Sequence, residues 1–160
     1  MGAITPCLWF DGRAGEAAEF YTSLFPNSSI DQLVASDTDA DDRRAGADGV
    51  FMAHITVAGQ RMQLLNGGPQ FPFTEAISFV YPCADQIELD RIWDALIADG
   101  GEESQCGWLR DRFGLSWQII PENMGELLVN QSAFEAMYTM RRLDIAALEA
   151  ARDSHPGARP

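Results

Sequence analysis

A pattern that recurs after 72 residues constrains the fold of this chain more than any other feature of its sequence. In the first half, a short apolar run at 4–10 is followed by apolar residues spaced as on one face of a helix. A second apolar run lies at 76–82, 72 residues further on, and it is followed by the same spacing. The two predicted helical stripes are Ala17, Phe20, Tyr21, Leu24, Phe25 and Leu89, Ile92, Trp93, Leu96, Ile97. We therefore expect one supersecondary unit to occur twice.

The remaining apolar segments complete each repeat and add a helical end. Alternation predicts a strand at 29–36, a hairpin with arms 50–58 and 60–66, and a buried strand at 115–121. The polar stretch 37–49 predicts a solvated loop, which reads as an insertion in the first repeat. Capping boxes are predicted at Asp85 with Glu88 and at Ser132 with Glu135. Three further helices are predicted at 122–129, 133–141 and 144–152.

These elements predict an α+β fold with tandem βαβββ repeats that form a cupped half-barrel sheet, followed by C-terminal helices. The expected organisation is a first module at 1–68, a second at 69–121, a helical arm at 122–153 and a disordered tail at 154–160. The arm carries the stripe Met137, Tyr138 and Arg141, which favours a packing face over a cofactor site.

Composition excludes several kinds of partner. The net charge of the 160 residues is −13, and all eleven cations are arginine. Such an acidic chain is not expected to bind nucleic acid or an anionic membrane, and it has no lysine for Schiff-base chemistry. The first residues carry neither a charged leader nor a long apolar stretch, which argues against a secretory signal. Three cysteines without a CxxC spacing are read as reduced thiols, so we expect a cytoplasmic protein.

Three segments carry a resemblance to a known family. They are ITPCLWFDGRAGEAAEFYTSLFPNS at 4–28, NGGPQFPFTEAISF at 66–79 and GGEESQCGWLRDRFGLSWQIIP at 100–121. They closely resemble the PhnB-like branch of the vicinal oxygen chelate superfamily, the glyoxalase and bleomycin-resistance fold. That branch is often labelled 3-demethylubiquinone-9 3-methyltransferase domain. The label gains no support from the residues, because the Gly67-Gly68 turn runs into proline-rich chain rather than a nucleotide-binding helix.

The resemblance implies four metal-ligand positions, one on each of four strands. In this chain they fall on Gln118, on Gln63, on Ala76 or Ser78, and on Ile4 or Pro6. Two neutral amides with two weaker or absent donors do not hold Zn²⁺ or Ni²⁺ tightly. We therefore expect no metal and no other cofactor.

The residues that could bind a ligand follow from strand alternation. If Gln118 faces the cup, so does Ser116, while Gln63 and Ser78 face it from other strands. The amides and hydroxyls either line a pocket or hydrogen-bond one another. His54 is read as a core or pocket histidine before a ligand or base, and Cys106 as a buried hydrophobe before a reactive thiol. The candidate ligand-binding residues are Gln63, Gln118, Ser116, Ser78, His54, Cys106 and Trp108.

Several aromatic residues leave two interpretations open. They pack in the core or form a pocket wall, and the first is favoured for most of them. Phe71-Pro72-Phe73 could act as a lid over the cup. The residues concerned are Trp9, Phe51, Phe71, Phe73 and Phe79.

The function expected from these observations is metal-free binding of a small apolar or aromatic molecule in the cup between the strands. One alternative is an enzyme of the same superfamily, a lyase, isomerase or transferase, with chemistry at Gln118, Gln63, His54 or Cys106. Another is a dimeric module without a ligand. No catalytic residue is identified. Because two chains of the superfamily commonly complete each other's barrels, the resemblance and the apolar arm predict a homodimer.

Overall fold

The computed structural model of the chain describes residues 2–35 and 49–154. It divides into two compact units, one extending to Phe73 and the other beginning at Thr74. The first unit thus continues beyond the module end predicted at 68. Most of the predicted loop at 37–49, and the predicted tail with His155, lie outside the described residues. Within the described ranges, no helix combines the length and apolarity needed to cross a bilayer.

The first unit is a four-stranded mixed sheet with one helix. Strand β1 is followed by helix α1, and then by the antiparallel strands β2, β3 and β4, which lie in the spatial order β1-β4-β3-β2. The parallel pair β1 and β4 lies at one edge. The bounds are β1 Cys7–Phe10, α1 Ala14–Leu24, β2 Ser29–Ala35, β3 Val50–Val57 and β4 Gln60–Asn66.

The second unit repeats this topology with shorter central strands. Its order is β5-β8-β7-β6, again with a parallel pair, β5 and β8, followed by antiparallel pairs. The bounds are β5 Ser78–Cys83, α2 Gln86–Ile97, β6 Glu102–Glu103, β7 Trp108–Arg110 and β8 Ser116–Pro121.

The 72-residue offset predicted from the apolar stripes is confirmed. Adding it to α1 Ala14–Leu24 gives 86–96, and α2 spans Gln86–Ile97. The two topologies are the same, so the predicted tandem βαβββ organisation and the α+β class are confirmed as two open four-stranded sheets with helices.

Each helix covers one face of its own sheet. Along β4, Met62 and Leu64 are buried, while Gln63 and Leu65 between them are half-buried. The alternation follows from the two-residue period of a strand, and it places Gln63 and Leu65 on the face away from α1. In β8, Trp117 and Ile119 are buried in the same way. We call the face away from the helix the open face of each sheet.

A C-terminal arm closes the second unit. It contains α3 Met124–Leu127, α4 Gln131–Thr139 and α5 Ile145–Asp153. The capping box predicted at Ser132 is wrong, because α4 begins two residues earlier and Asn130 accepts the hydrogen bond from the Ala133 amide. The helix start predicted at Asp85 is confirmed, since the Asp85 carboxylate accepts from the Glu88 amide at 2.8 Å, while the Glu88 carboxylate accepts from the Ala84 amide at 2.9 Å.

Candidate ligand sites in the two units

Gln63 and His54 come together on the open face of the first sheet. They are Cα partners on β4 and β3, and Gln63 Nε2 lies 3.5 Å from His54 Nδ1. Cys7 on β1 is the partner of Gln63 on the other side. Burial raises the pKa of the Cys7 thiol, so the thiol stays protonated at neutral pH. This row offers an amide, an imidazole and a protonated thiol that can hydrogen-bond a ligand.

A cavity lies at the end of this sheet, next to the last residue of β4. Its volume is about 390 Å³. Aromatic rings make up much of its wall, and the Gln70 side chain adds an amide. The lining residues are Trp9, Phe51, Leu65, Asn66, Gly67, Gln70 and Phe71. Neither Gln63 nor His54 is among them, so the cavity lies beside the polar row rather than on it.

The Trp9 indole is fixed from two sides. Its Nε1 donates to the Gly68 carbonyl at 2.8 Å, and the Phe71 ring meets it edge-on with centroids 5.0 Å apart. A Cβ at Gly67 would overlap the indole ring, so only glycine allows the backbone this close. The segment after β4 therefore shapes the cavity, with Trp9 held in one orientation.

Asn66 is a buried polar residue of the same cavity wall, but both ends of its amide already have partners. Its Oδ1 accepts from the Ala14 amide at 2.9 Å, and its Nδ2 donates to the Val50 carbonyl at 2.9 Å. The first of these bonds satisfies the start of α1, whose own N-cap residue Arg13 makes no side-chain cap. Asn66 thus joins helix to sheet and fixes the end of β4.

Four predicted residues come together on the open face of the second sheet. Gln118 Nε2 donates to the Ser78 hydroxyl at 2.9 Å, which matches the expectation that these groups could bond one another. Trp108 is the Cα partner of Gln118, and Ser116 is that of Ser78. Trp108 and Ser116 also line a cavity of about 170 Å³ at the β6–β7 edge.

Cys106 lies in the β6–β7 turn, apart from these strand residues. Its φ is +57°, and its amide donates to the Met140 carbonyl of the arm at 2.8 Å. The two arginines that were considered as activators of its thiol pair with acids, Arg110 with Glu102 and Arg112 with Asp99, each at 2.7 Å. The backbone hydrogen bond to Met140 thus fixes the position of Cys106 in the turn.

The residues at the superfamily's metal positions do not fit a metal. Gln63 and Gln118 present neutral amides, and Ser78 is occupied by its bond to Gln118. Ile4 and Pro6 precede β1, and Ile4 is fully exposed. Zn²⁺ and Ni²⁺ sites need anionic or imidazole donors, which these positions lack. In the part of the chain that the structure describes, no three His, Cys, Asp or Glu side chains gather in a metal-binding group.

The aromatic cavity is the part of the site that the sequence does not predict. The sequence favours the core for most of its aromatic candidates, whereas Trp9, Phe51 and Phe71 line the cavity and Phe71 is 64% exposed. The available signal was Gly67-Gly68 directly after an apolar strand, which marks a close backbone approach. Apolar residues in a core and in a pocket wall look alike in sequence.

Two βαβββ units, each with an open four-stranded sheet, define a protein of the vicinal oxygen chelate class. Within it, the family model described as 3-demethylubiquinone-9 3-methyltransferase matches residues 2–120, and the chain belongs to this PhnB-like family. A PhnB protein from Bacillus cereus, whose description also carries the 3-demethylubiquinone-9 3-methyltransferase name, is 32% identical. That similarity covers 75% of this chain and 99% of the other, with a TM-score of 0.66.

Two more distant structures show the same fold. A protein from Pseudomonas aeruginosa is 21% identical, with coverage of 76% of this chain and 98% of that one and a TM-score of 0.60. The fosfomycin resistance protein FosX from Listeria monocytogenes is 14% identical, with coverage of 81% and 98% and a TM-score of 0.53. The comparison with curated proteins gives no match. Since the family match ends at 120, the arm from Met124 onward lies beyond it.

Proposed function

We propose that the chain is a PhnB-like protein of the vicinal oxygen chelate fold that binds a small apolar or aromatic molecule without a metal. The observation that carries the proposal is the 390 Å³ cavity of the first unit, with its wall of Trp9, Phe51 and Phe71. A cavity of this size that combines apolar rings with a few polar groups is typical of small-ligand sites.

The cavity is suited to a planar ring. The Trp9 indole is held by Gly68 and by the edge of Phe71, so its orientation is set before a ligand arrives. An aromatic ligand can stack on or meet these rings edge-on, and each such pair contributes about 0.5–1.5 kcal/mol beyond burial. The Gln70 amide supplies a donor and an acceptor for a hydroxyl on the ligand.

Calorimetric titration of the full chain with 2-naphthol tests the ligand class. We expect saturable binding, and we expect Phe71→Ala to weaken it by about 3- to 10-fold, the equivalent of one aromatic pair. Phe71 is 64% exposed, so its loss spares the fold. Leu33→Ala in β2 is the control, because Leu33 is 51% exposed and does not line the cavity. No saturation, or equal affinity in Phe71→Ala and the wild type, contradicts the site.

Elemental analysis tests the metal-free part separately. Protein purified without a chelator should carry zinc, nickel, manganese and iron far below one atom per chain. A stoichiometric metal that is lost in Gln63→Ala or Gln118→Ala would show that amides serve as ligands here after all. In that case the naphthol titration still tests ligand binding in the aromatic cavity.

The family name supports one alternative, methyl transfer to a 3-demethylubiquinone. The aromatic cavity favours a ligand of that shape. The turn at Gly67-Gly68 is followed by irregular chain up to β5, so it provides no helix N-terminus for a methyl donor. A turnover screen with His54→Ala and Cys106→Ala as controls tests enzymatic activity, since activity untouched by both changes removes these residues from any mechanism.

A further inference from the structure

The polar row of the first unit lies on the same face of the sheet as the aromatic cavity. This row consists of Cys7, Gln63 and His54, which are Cα partners on β1, β4 and β3. Side chains two positions apart on a strand share a face, so the next row on the open face is two positions along each strand. The Cα partners of that row are Trp9, Leu65 and Met52.

The second row connects the polar row to the cavity. Trp9 and Leu65 both line the cavity, and Leu65 is half-buried like Gln63. A strand advances about 3.4 Å per residue, so Gln63 lies about 7 Å from Leu65 along β4. A ligand ring in the cavity therefore has hydrogen-bonding groups about 7 Å away, over the same surface.

One donor and one acceptor of the polar row are available to a ligand. Gln63 Nε2 lies 3.5 Å from His54 Nδ1, and when this amide donates, the imidazole carries its proton on Nε2. Among the described residues, neither side chain makes another hydrogen bond. His54 Nε2 can then donate and Gln63 Oε1 can accept. A hydroxyl is a single group that satisfies both.

The charges beyond the polar row favour a neutral ligand group. Thr56 and Arg61 are the Cα partners next to it on the open face. Hydrogen bonds from the Ser29 and Thr56 hydroxyls lower the pKa of Asp31, with a smaller contribution from the charge of Arg61. One carboxylate and one guanidinium thus offset each other here, so this surface selects neither an anion nor a cation.

We propose that the first unit binds an aromatic compound with a hydroxyl at the end of a short side chain, about 7 Å from the centre of the ring. This inference rests on the proposed function, because the ring occupies the aromatic cavity. The hydroxyl accepts from His54 Nε2 and donates to Gln63 Oε1. A hydroxyl attached directly to the ring stays at the cavity wall, near Gln70, and does not reach the polar row.

NMR titration of the full chain with 3-phenylpropan-1-ol and benzyl alcohol tests the length of the side chain. The Trp9 indole ¹H–¹⁵N signal, assigned through Trp9→Phe, reports entry of either ring into the cavity. The side chain of the first compound reaches the polar row, and that of the second does not. Gln63→Met and His54→Phe should each weaken 3-phenylpropan-1-ol by about 3- to 10-fold, the equivalent of one hydrogen bond. Both variants should leave the affinity for benzyl alcohol unchanged.

Gln60→Met is the matched control, because it makes the same exchange on β4 outside the polar row. It should change neither affinity. In the wild type, 3-phenylpropanoate, which has an anionic end at the same distance, should bind more weakly than the alcohol.

Two sets of outcomes separate this inference from the proposed function. If the Trp9 signal responds to both alcohols, but the Gln63 and His54 variants weaken neither or weaken both equally, ligand binding in the cavity is retained and the hydroxyl site is overturned. Tighter binding of 3-phenylpropanoate than of the alcohol also overturns the hydroxyl site. A Trp9 signal that responds to neither alcohol overturns both the inference and the proposed function.

Discussion

Asp111 is the residue on which the β7–β8 connection depends most. It is 2% exposed, and its carboxylate accepts from the Phe113 and Leu115 amides and from the Trp117 indole at 2.9–3.0 Å. One side chain thus satisfies two turn amides and anchors a buried ring. Asp111 thus supports the turn that leads into β8.

Replacing Asp111 should destabilise the protein strongly. Asp111→Ala leaves three donors without their acceptor, and we expect a loss of about 4 kcal/mol in the free energy of unfolding. Asp111→Asn keeps the shape but turns an amide N–H toward a donor, so about 2 kcal/mol is expected. Urea denaturation measures both, with Glu19→Ala on the exposed side of α1 as the control. A cost no larger than that of Glu19→Ala would contradict this role.

We expect Tyr81 to make the free energy of unfolding fall as the pH becomes alkaline. Burial, and then the hydrogen bond that its hydroxyl donates to Glu88 at 2.8 Å, raise the pKa of Tyr81 to about 12. The folded state holds this proton more tightly than the unfolded chain, where the pKa is about 10. The contribution of Tyr81 is therefore complete below pH 10 and is lost as pH rises from 10 to 12.

Urea midpoints from pH 8 to 12 check the sign of this effect. Burial also raises the pKa of Cys83 to about 12, so the wild type and Tyr81→Phe both lose stability through that thiol. The difference between the two proteins isolates the tyrosine. We expect it to be constant below pH 10 and to shrink above it. A difference that grows with pH would show that Tyr81 ionises more easily in the folded state.

Among the helices and strands, the sequence predicted those whose apolar residues recur with the period of a helix or a strand. The stripes of α1 and α2 and the hairpin of β3 and β4 are amphipathic, because one face of each packs and the other meets water. What depends on a single hydrogen bond was less predictable. Asn130 rather than Ser132 caps α4, and the two residues compete for the same role in a polar stretch.

The arm is held on α2 by a few polar contacts. Arg142 pairs with Asp94 and, at 3.3 Å, with Asp90, and its guanidinium lies 5.9 Å from the Trp93 ring centroid. Gln86 adds hydrogen bonds to the Leu143 carbonyl and from the Ile145 amide. The charged contacts are partly exposed, so each contributes modestly.

Arg142→Ala should loosen the arm without unfolding the sheet. We expect a loss of about 1 kcal/mol and faster hydrogen exchange at the Cys106 and Gly107 amides, whose acceptors belong to the arm. Hydrogen exchange read by NMR measures this, with Arg61→Ala in β4 as a control for the loss of one positive charge. Exchange unchanged at both amides would mean that Gln86 and the packed core hold the arm unaided.

For the whole molecule, the sequence predicted the fold better than the ligand sites. The repeat requires only the spacing of apolar residues, which can be read from the sequence. An offset of 72 residues aligns the segments that form the two sheets. Whether apolar side chains line a cavity or fill the core depends on where their packing against other side chains ends. Trp9 and Phe71 at a cavity, and Trp93 in the core, carry the same apolar signal, and three-dimensional contacts alone distinguish them.

The predicted homodimer should depend on two features, the aromatic residues of the arm and the net charge of the chain. On α4, Tyr138 is 63% exposed and Phe134 is 36% exposed, with ring centroids 6.5 Å apart, so the arm presents an aromatic surface. We expect this surface to pack on a second copy. Because each chain carries −13, two copies repel one another, and salt screens that repulsion.

Sedimentation equilibrium at low and high NaCl tests both parts of this prediction. Dimerisation should tighten as salt rises, opposite to an interface held by ion pairs. Tyr138→Asp should shift the chain to monomer, because it buries a charge in the aromatic surface. Ile87→Asp on α2, where Ile87 is 80% exposed, introduces the same charge elsewhere and should leave the dimer intact. A monomer at every salt concentration contradicts the dimer, whereas a dimer insensitive to Tyr138→Asp places the interface outside the arm.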